Sequence, residues 1–316
     1  MGARGNSSSR LRTSSEVTSD PGTEKTAKPP NIWLLGTRPR TLTMAAVPVA
    51  VGAVLAWAGG ANPDWLTFIA TLACAVFIQI GTNLLNDAKD GERGADGPDR
   101  IGPLRITGAG LAEPGQVRRA ALACFMAALV AGVYLVFVGG IPILLIGLAS
   151  LVSGYAYSSG RRPLSHGPFS EVYVIVFFGL VAVAGSYYLQ SGQLPEGAVL
   201  LTGIAIGCYA AAVLLVNNLR DTEADLRAGR KTLAARLGTR ATQLLYGALL
   251  LVPFALLAAA WGVQALGLAW LGLPVCLWLA LQFAGMQVGP GMNAQLGRTA
   301  LVQVLVGTLL IVERLS

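Results

Sequence analysis

The feature that most limits what this chain can fold into is a series of long apolar runs between residues 42 and 313. A helix that crosses the hydrocarbon core of a bilayer needs about 20 consecutive apolar residues. Nine runs come close to this length: 42–59, 66–86, 119–138, 141–158, 171–190, 197–217, 243–261, 263–284 and 298–313. Because backbone polar groups must be paired inside lipid, such runs form helices. The sequence therefore predicts an all-α membrane protein with nine transmembrane helices.

The composition supports lipid as the main solvent. Only 12% of the 316 residues are charged, whereas soluble domains average about 25%. So few charges cannot solvate the outside of an aqueous domain of this length. Residues 1–30 differ from the rest, because they are rich in Ser, Thr, Pro and basic residues and contain no apolar run. We expect 1–30 to be a disordered tail and 31–316 to be the membrane domain.

The basic residues fall almost entirely on one side of the predicted membrane. If the N-terminus is cytoplasmic and the chain crosses nine times, 22 of the 23 Lys and Arg residues lie inside, and only Arg314 lies outside. This asymmetry predicts a multi-pass protein of the plasma (inner) membrane with a cytoplasmic N-terminus. The net charge of +7 is spread over short loops without interleaved aromatic residues, so we expect no nucleic-acid partner.

Polar residues are concentrated in two motifs that begin Asn-[Asp/Asn]-x-x-Asp. The first follows the second apolar run at 86–96, and the other follows the sixth run at 217–225, so the two form a weak internal repeat. If the helices continue through the motifs, residues four positions apart share one face. The residues that would share a face are Asn86 and Asp90 in the first motif, and Asn217, Asp221 and Asp225 in the second.

Carboxylates stacked on one helix face repel each other, and a bound cation offsets this repulsion. Oxygen donors without Cys or His suit Mg²⁺, which takes one or two carboxylates and completes its shell with water and phosphate oxygens. Two such motifs on one membrane face therefore predict a Mg²⁺ site that holds a diphosphate, although a single motif of this kind would be an ordinary charged loop. The adjoining cations would stabilise the leaving diphosphate. They are Lys89, Arg93, Arg220, Arg230 and Lys231.

Both motifs resemble the signatures of the UbiA superfamily of intramembrane prenyltransferases. The first reads Asn86-Asp87-x-x-Asp90-Gly91-x-x-Gly94-x-Asp96, followed by DRIGPLR at 99–105. The second reads Asn217-Asn218-Leu219-Arg220-Asp221-x-x-x-Asp225, followed by GRKTL at 229–233 and RLG at 236–238. The segments RPRTL at 38–42 and YAYSxG at 155–160 are similar too. Gly94, where another branch carries Asp, and the DRIGPLR segment resemble the MenA branch.

The resemblance covers 33–313 and implies a nine-helix bundle around a central cavity. It also implies Mg²⁺ as cofactor, and a polyprenyl diphosphate and 1,4-dihydroxy-2-naphthoate as substrates. Prenyl transfer with loss of CO₂ and diphosphate would give demethylmenaquinone in menaquinone biosynthesis. Gly91 and Gly94 would let a bicyclic acceptor approach the backbone closely. Two alternatives are another aromatic acceptor, such as 4-hydroxybenzoate, and a membrane transporter, although transporters place their polar residues near the bilayer midplane.

Resemblance and position together assign the candidate residues. The predicted metal ligands are Asn86, Asp87, Asp90, Asp96, Asn217, Asp221 and Asp225. The predicted catalytic residues are Asp90, Asp221, Lys231, Arg220, Arg162 and Tyr157. The predicted substrate-binding residues are Arg38, Asn86, Asn217, Arg93, Tyr155 and Glu171. Tyr155 and Tyr157 have an alternative interpretation as interfacial anchors. The loop 161–166 departs from the family's glycine- and tyrosine-containing run, and we expect Arg162 to meet the acceptor carboxylate.

Overall fold

Helices are the only regular elements in the part of the chain that the computed structural model describes, namely Gly2 and residues 31–92, 101–102, 104–158 and 163–316. Apart from Gly2, the predicted tail at 1–30 lies outside the described residues. The helices are α1 (Ile32–Thr37), α2 (Pro39–Ala58), α3 (Trp65–Glu92), α4 (Pro114–Ser158), α5 (Ser170–Ser191), α6 (Gly197–Arg220), α7 (Thr222–Arg227), α8 (Leu233–Trp261), α9 (Gly272–Ala284) and α10 (Met292–Leu315). Short 3₁₀ segments occupy Leu164–His166 and Gln264–Leu271.

Eight helical segments of the described chain are long and apolar enough to cross a membrane. They coincide with the predicted runs, except that the third and fourth runs both lie in α4. A straight helix of 45 residues would be about 68 Å long, roughly twice the thickness of the hydrocarbon core. Gly140, in the middle of α4, has φ 65° and ψ −152°, which is not helical. The all-α membrane fold is thus confirmed, with eight candidate spans of which one is broken at Gly140.

Helices α5 and α6 approach each other closely because three glycines, which have no side chains, lie where the two helices cross. A Cβ on Gly207 would lie 2.6 Å from the carbonyl oxygen of Ile175, and one on Gly203 would lie 2.9 Å from the Cα of Leu180. Gly179, on α5, faces both of these glycines. Small residues permit this kind of packing between helices in lipid. As a result, α6 is buried along most of its length, and it carries the second polar motif into the bundle.

Candidate active site

A cavity of about 470 Å³ connects both polar motifs with the apolar interior of the bundle. Helices α2 to α7 contribute most of its walls. At one end it is lined by the Asn and Asp side chains of the two motifs, and away from them by apolar side chains. The apolar lining includes Val133, Phe137, Ile143 and Leu189. Such a cavity can hold a polar head group at one end and a hydrocarbon chain at the other.

The first motif is positioned by α3, which continues through it to Glu92. Since residues three, four or seven apart share a helix face, α3 presents a polar stripe to the cavity. The stripe consists of Gln79, Asn83, Asn86 and Asp90. Asn83 is fixed by hydrogen bonds that its Nδ2 donates to the carbonyl oxygen of Thr37 (2.9 Å) and the hydroxyl of Thr41 (3.1 Å). Asn86 and Asp90 share the cavity face, as their spacing predicts.

The second motif lies where α6 meets α7. Asp221 caps α6 with φ −94° and ψ 8°, so the helix bends here and does not continue straight through the motif. The helical hydrogen-bond spacing is nevertheless kept, because Asp221 N–H donates to Asn217 O (3.1 Å) and Asp225 N–H donates to Asp221 O (2.8 Å). Asn217, Asp221 and Asp225 therefore line the same cavity as Asp90.

Two arginines pair with the carboxylates of the motifs. Asp90 forms ion pairs with Arg105 and Arg230, and Arg230 also approaches Asp225 at 3.5 Å. Arg105 comes from the loop after the first motif and Arg230 from the segment after the second. The segment after each motif thus supplies one arginine. Arg230 contacts both a carboxylate of α3 and a carboxylate of α7. Arg105 lies in the DRIGPLR segment, and its role in the site was not predicted.

Burial raises the pKa of the Asp225 carboxyl to about 6. The Arg230 guanidinium opposes this shift, while the neighbouring carboxylates of Asp221 and Asp90 add to it. Asp225 is therefore only partly ionised near pH 6, and a cation bound beside it would lower its pKa again.

Arg220 binds two residues of the second motif without lining the cavity. Its buried guanidinium donates to both carboxylate oxygens of Asp221 (2.7 Å each), to Asn217 Oδ1 (2.7 Å) and to Asn293 Oδ1 (2.8 Å). The Asn293 amide also donates to the carbonyl oxygen of Ile101 (2.9 Å), which ties α10 to the loop after the first motif. Arg220 does not line the cavity, so the contacts indicate that it orients Asn217 and Asp221.

Aromatic rings line the cavity beyond the motifs. The Tyr157 ring lies 5.7 Å from that of Tyr173, which stacks on Phe177 at 4.6 Å, and all three side chains line the cavity. Glu171 is buried behind this wall, where it accepts hydrogen bonds from Asn218 Nδ2 (2.9 Å) and Ser170 Oγ (2.9 Å). Glu171 thus holds Asn218, which itself lines the cavity.

The comparison with known proteins agrees with this geometry. Residues 45–290 match the UbiA prenyltransferase family. The chain belongs to this family. The predicted family and the predicted enzyme class, a prenyltransferase, are confirmed.

Two curated relatives are similar to this chain in sequence, and one solved structure is similar to it in fold. Over 221 residues the chain is 39% identical to 1,4-dihydroxy-2-naphthoate octaprenyltransferase of Mycobacterium tuberculosis, covering 70% of this chain and 74% of the relative. The enzyme of the same name from Mycobacterium leprae is 35% identical over 278 residues, with 86% and 92% covered. A UbiA homologue from Archaeoglobus fulgidus bound to GPP and Mg²⁺ shares the fold, with a TM-score of 0.64, 15% identity and coverage of 90% and 99%.

Asp87 is a predicted metal ligand that the structure places away from the cavity of this UbiA protein. Its buried carboxylate accepts hydrogen bonds from the backbone N–H groups of Ile106 (3.1 Å) and Thr107 (2.9 Å) and from the Thr107 hydroxyl. Gly91 lies beside this contact, since a Cβ there would lie 2.5 Å from Thr107 Oγ1. The space at Gly91 is therefore occupied by this loop and is not open to an acceptor. Gly94, the other glycine expected to admit the acceptor, lies outside the described residues.

Other predicted residues also lie apart from the cavity. Tyr155 is 55% exposed on the outside of the bundle, as an interfacial anchor would be. The Lys231 side chain is exposed, and its backbone N–H donates to the carbonyl oxygen of His166 (3.0 Å). Arg38 does line the cavity, and it adopts a left-handed conformation (φ 52°) between α1 and α2. Arg93, Asp96 and Arg162 lie outside the described residues.

Proposed function

We propose that this protein transfers a polyprenyl group from a polyprenyl diphosphate to 1,4-dihydroxy-2-naphthoate in menaquinone biosynthesis. The reaction releases diphosphate and CO₂ and gives demethylmenaquinone in its reduced, quinol form. The observation that carries the proposal is the cavity in which both motifs and two arginines adjoin an apolar interior. The acceptor is supported by the relatives of that name at 39% and 35% identity.

We propose Mg²⁺ as the cofactor of this reaction. Among the residues that the structure describes, no three carboxylate, His or Cys side chains converge on one metal position. The oxygen donors along the cavity still suit Mg²⁺, since this ion uses one or two carboxylates and fills its other positions with water and phosphate oxygens. The side chains that would hold it are Asn86, Asp90, Asn217, Asp221 and Asp225. When bound, it would supply positive charge against the diphosphate oxygens.

The protein's own cations would act on the leaving group. Arg105 and Arg230 lie at the polar end of the cavity, where each is paired with Asp90. A diphosphate bound there gives both guanidiniums a second set of anionic oxygens to donate to. As the bond between C1 and the diphosphate oxygen breaks, the electron pair leaves with the oxygen, and these cations stabilise the growing charge.

The apolar part of the cavity would protect the allylic cation that remains. Its hydrocarbon walls exclude water, which would otherwise quench the cation. The side chains of Tyr157, Tyr173 and Phe177 line this region, and aromatic rings carry a negative quadrupole on their faces that attracts a cation. The carboxylate-bearing ring carbon of the naphthoate then forms the new bond to C1. Departure of CO₂ leaves its bonding electron pair in the ring and restores aromaticity.

An acceptor assay tests the proposed function. The purified protein with Mg²⁺ and a polyprenyl diphosphate is expected to prenylate 1,4-dihydroxy-2-naphthoate, with one CO₂ released for each product, and to leave 4-hydroxybenzoate unchanged. Mass spectrometry of the product and release of labelled CO₂ provide the measurement, and heat-inactivated protein is the control. Prenylation of 4-hydroxybenzoate with no reaction of the naphthoate would refute the acceptor assignment and leave the leaving-group chemistry intact.

We further propose nine membrane crossings, a cytoplasmic N-terminus, and a plasma-membrane location with the active site toward the cytoplasm. The division of α4 at Gly140 supports the ninth crossing. Leu135 and Ile143, on either side of Gly140, belong to one buried cluster that also contains Leu189. On a straight helix they would be about 12 Å apart. The distribution of the basic residues supports the orientation.

Reporter fusions test this topology. Fusions after residues 62, 140, 194 and 262 are expected to report the outside, and fusions after 100, 164, 230 and 292 the inside, because 22 of the 23 basic residues then lie in the cytoplasm. Paired phosphatase and fluorescent-protein reporters give opposite responses at each site and so control for expression. An inside result at 194 would place the two motifs on opposite faces and would disprove the nine-crossing topology.

A further inference from the structure

A second cavity, of about 330 Å³, lies between the start of α2 and the first half of α10. It shares no lining residue with the catalytic cavity. Two arginines line it, Arg40 from α2 and Arg298 from α10, together with small residues such as Gly297 and the apolar side chain of Leu301. We call this cavity the α2–α10 groove. The proposed reaction makes no use of it.

Both arginines of the groove present their charge outward. Arg40 and Arg298 are exposed, and neither forms an ion pair with any carboxylate of the described chain. Arg40 reaches across to α10, where its Nη1 lies 3.8 Å from the position that a Cβ on Gly297 would take. Arg298 is oriented by a hydrogen bond to Gln282 Oε1 (2.9 Å). Two arginines therefore line one small space, and no carboxylate of the described protein pairs with either of them.

The surroundings place the groove at the edge of the lipid. The Arg298 guanidinium lies 5.6 Å from the ring centroid of Trp278, which is 53% exposed, and exposed tryptophans mark the interfacial level of a bilayer. Further along α10, Leu301 and Leu305 are exposed. The groove thus has cations at head-group level and an apolar surface beside the hydrocarbon. Asn293, which contacts Arg220, places this end of α10 beside the second motif.

We propose that the α2–α10 groove binds the phosphate of an anionic phospholipid, with an acyl chain lying along Leu301 and Leu305. Arginine suits this ligand because its planar guanidinium donates in pairs to phosphate oxygens. Basic pockets between transmembrane helices hold anionic head groups in the same way. The described lining contains no carboxylate or amide that would ligate a metal, which distinguishes the groove from a diphosphate–Mg²⁺ site. A bound lipid would join α2 to α10 and stabilise both.

Native mass spectrometry of the purified protein with phosphatidylglycerol tests this proposal, with phosphatidylcholine of the same chains as the neutral comparison. Each arginine removed is expected to weaken retention of phosphatidylglycerol about fivefold, and both together about 25-fold. The variants are Arg40→Gln, Arg298→Gln and the double variant. Gly297→Leu, which fills the groove and leaves the charge unchanged, is expected to lose the lipid as well. Arg240→Gln removes an exposed arginine of α8 outside both cavities and is the matched control.

Several outcomes would overturn the proposal. They are equal retention of both lipids by the unaltered protein, unchanged retention in the double variant, and an equal loss in Arg240→Gln. Displacement of the lipid by millimolar inorganic phosphate would identify a free-anion site, and displacement by geranyl diphosphate would identify a substrate-entry site. If the double variant fails to fold, Arg40→Lys with Arg298→Lys is used. This pair keeps the charge and must retain phosphatidylglycerol in preference to phosphatidylcholine.

Discussion

Replacing Asp90 or Asp221 with alanine is expected to lower kcat/KM about a thousandfold or more, which corresponds to roughly 4 kcal/mol of transition-state stabilisation. Both carboxylates line the polar end of the cavity, and they come from the two separate motifs. Loss of either one removes half of the proposed clamp on the diphosphate. Turnover of a polyprenyl diphosphate, followed by product chromatography at saturating Mg²⁺, measures the effect. Glu223→Ala is the matched control, since Glu223 is an exposed acid on α7 two residues from Asp221.

The two variants are expected to differ in stability without Mg²⁺. Asp90 pairs with Arg105 and Arg230 at once, so its removal takes one carboxylate partner from each of two largely buried cations and lowers the unfolding temperature. Asp221 is held by Arg220, which keeps Asn217 and Asn293 as partners after the change, so a smaller loss is expected. Scanning fluorimetry in EDTA measures the unfolding temperatures of both variants. A variant that keeps more than about a tenth of the original activity has a barrier change below roughly 1.4 kcal/mol. That result would show that the replaced aspartate is not part of the clamp.

Hydropathy and charge predict most of the fold of this protein because lipid demands long apolar helices. The sequence does not show how the runs join. The sequence separates the runs 119–138 and 141–158, but it does not show that they join without a loop in one helical segment that is interrupted by the backbone angles of Gly140 (φ 65°, ψ −152°). The close crossing of α5 and α6 was not foreseen either, because isolated glycines at 179, 203 and 207 carry no information about which helix faces them.

Within the site, helical periodicity explains both the correct and the missed predictions. Asn86 and Asp90 were predicted to share a face and do so. The same spacing extends back to Gln79 and Asn83, which were not predicted. Asp87 is rotated about 100° from Asn86 on the helix and so points elsewhere.

The arginine contacts could not be predicted from the sequence. Arg105 and Arg230 lie 15 and 140 positions from Asp90 along the chain, and no local pattern pairs residues so far apart. Repulsion between carboxylates was the reason to expect a cation, and in this structure two guanidiniums already compensate part of it. The sequence therefore predicted a charged site and named Arg230 among its cations. It indicated neither a role for Arg105 nor the pairing of both arginines with Asp90.

Replacing Asp87 with alanine is expected to destabilise the protein by about 3 kcal/mol, because the buried N–H groups of Ile106 and Thr107 lose their acceptor. Activity is expected to fall as well, since Arg105 is the neighbour of Ile106 and reaches Asp90 only while this loop is held. Thermal unfolding with and without Mg²⁺ measures the first effect, and turnover measures the second. Glu92→Ala, which removes an acid near the surface five positions along α3, is expected to change stability by less than about 1 kcal/mol.

The dependence of the remaining activity on Mg²⁺ distinguishes an anchor of the loop from a metal ligand. If Asp87 only holds the loop, the Mg²⁺ concentration for half-maximal rate stays within about twofold of the original value, a change of roughly 0.4 kcal/mol. A residue whose only role is to bind the metal behaves in the opposite way, because its loss weakens metal binding and leaves the metal-free protein as stable as before. If Asp87→Ala leaves the unfolding temperature in EDTA unchanged and greatly raises the Mg²⁺ concentration needed for activity, Asp87 is a metal ligand.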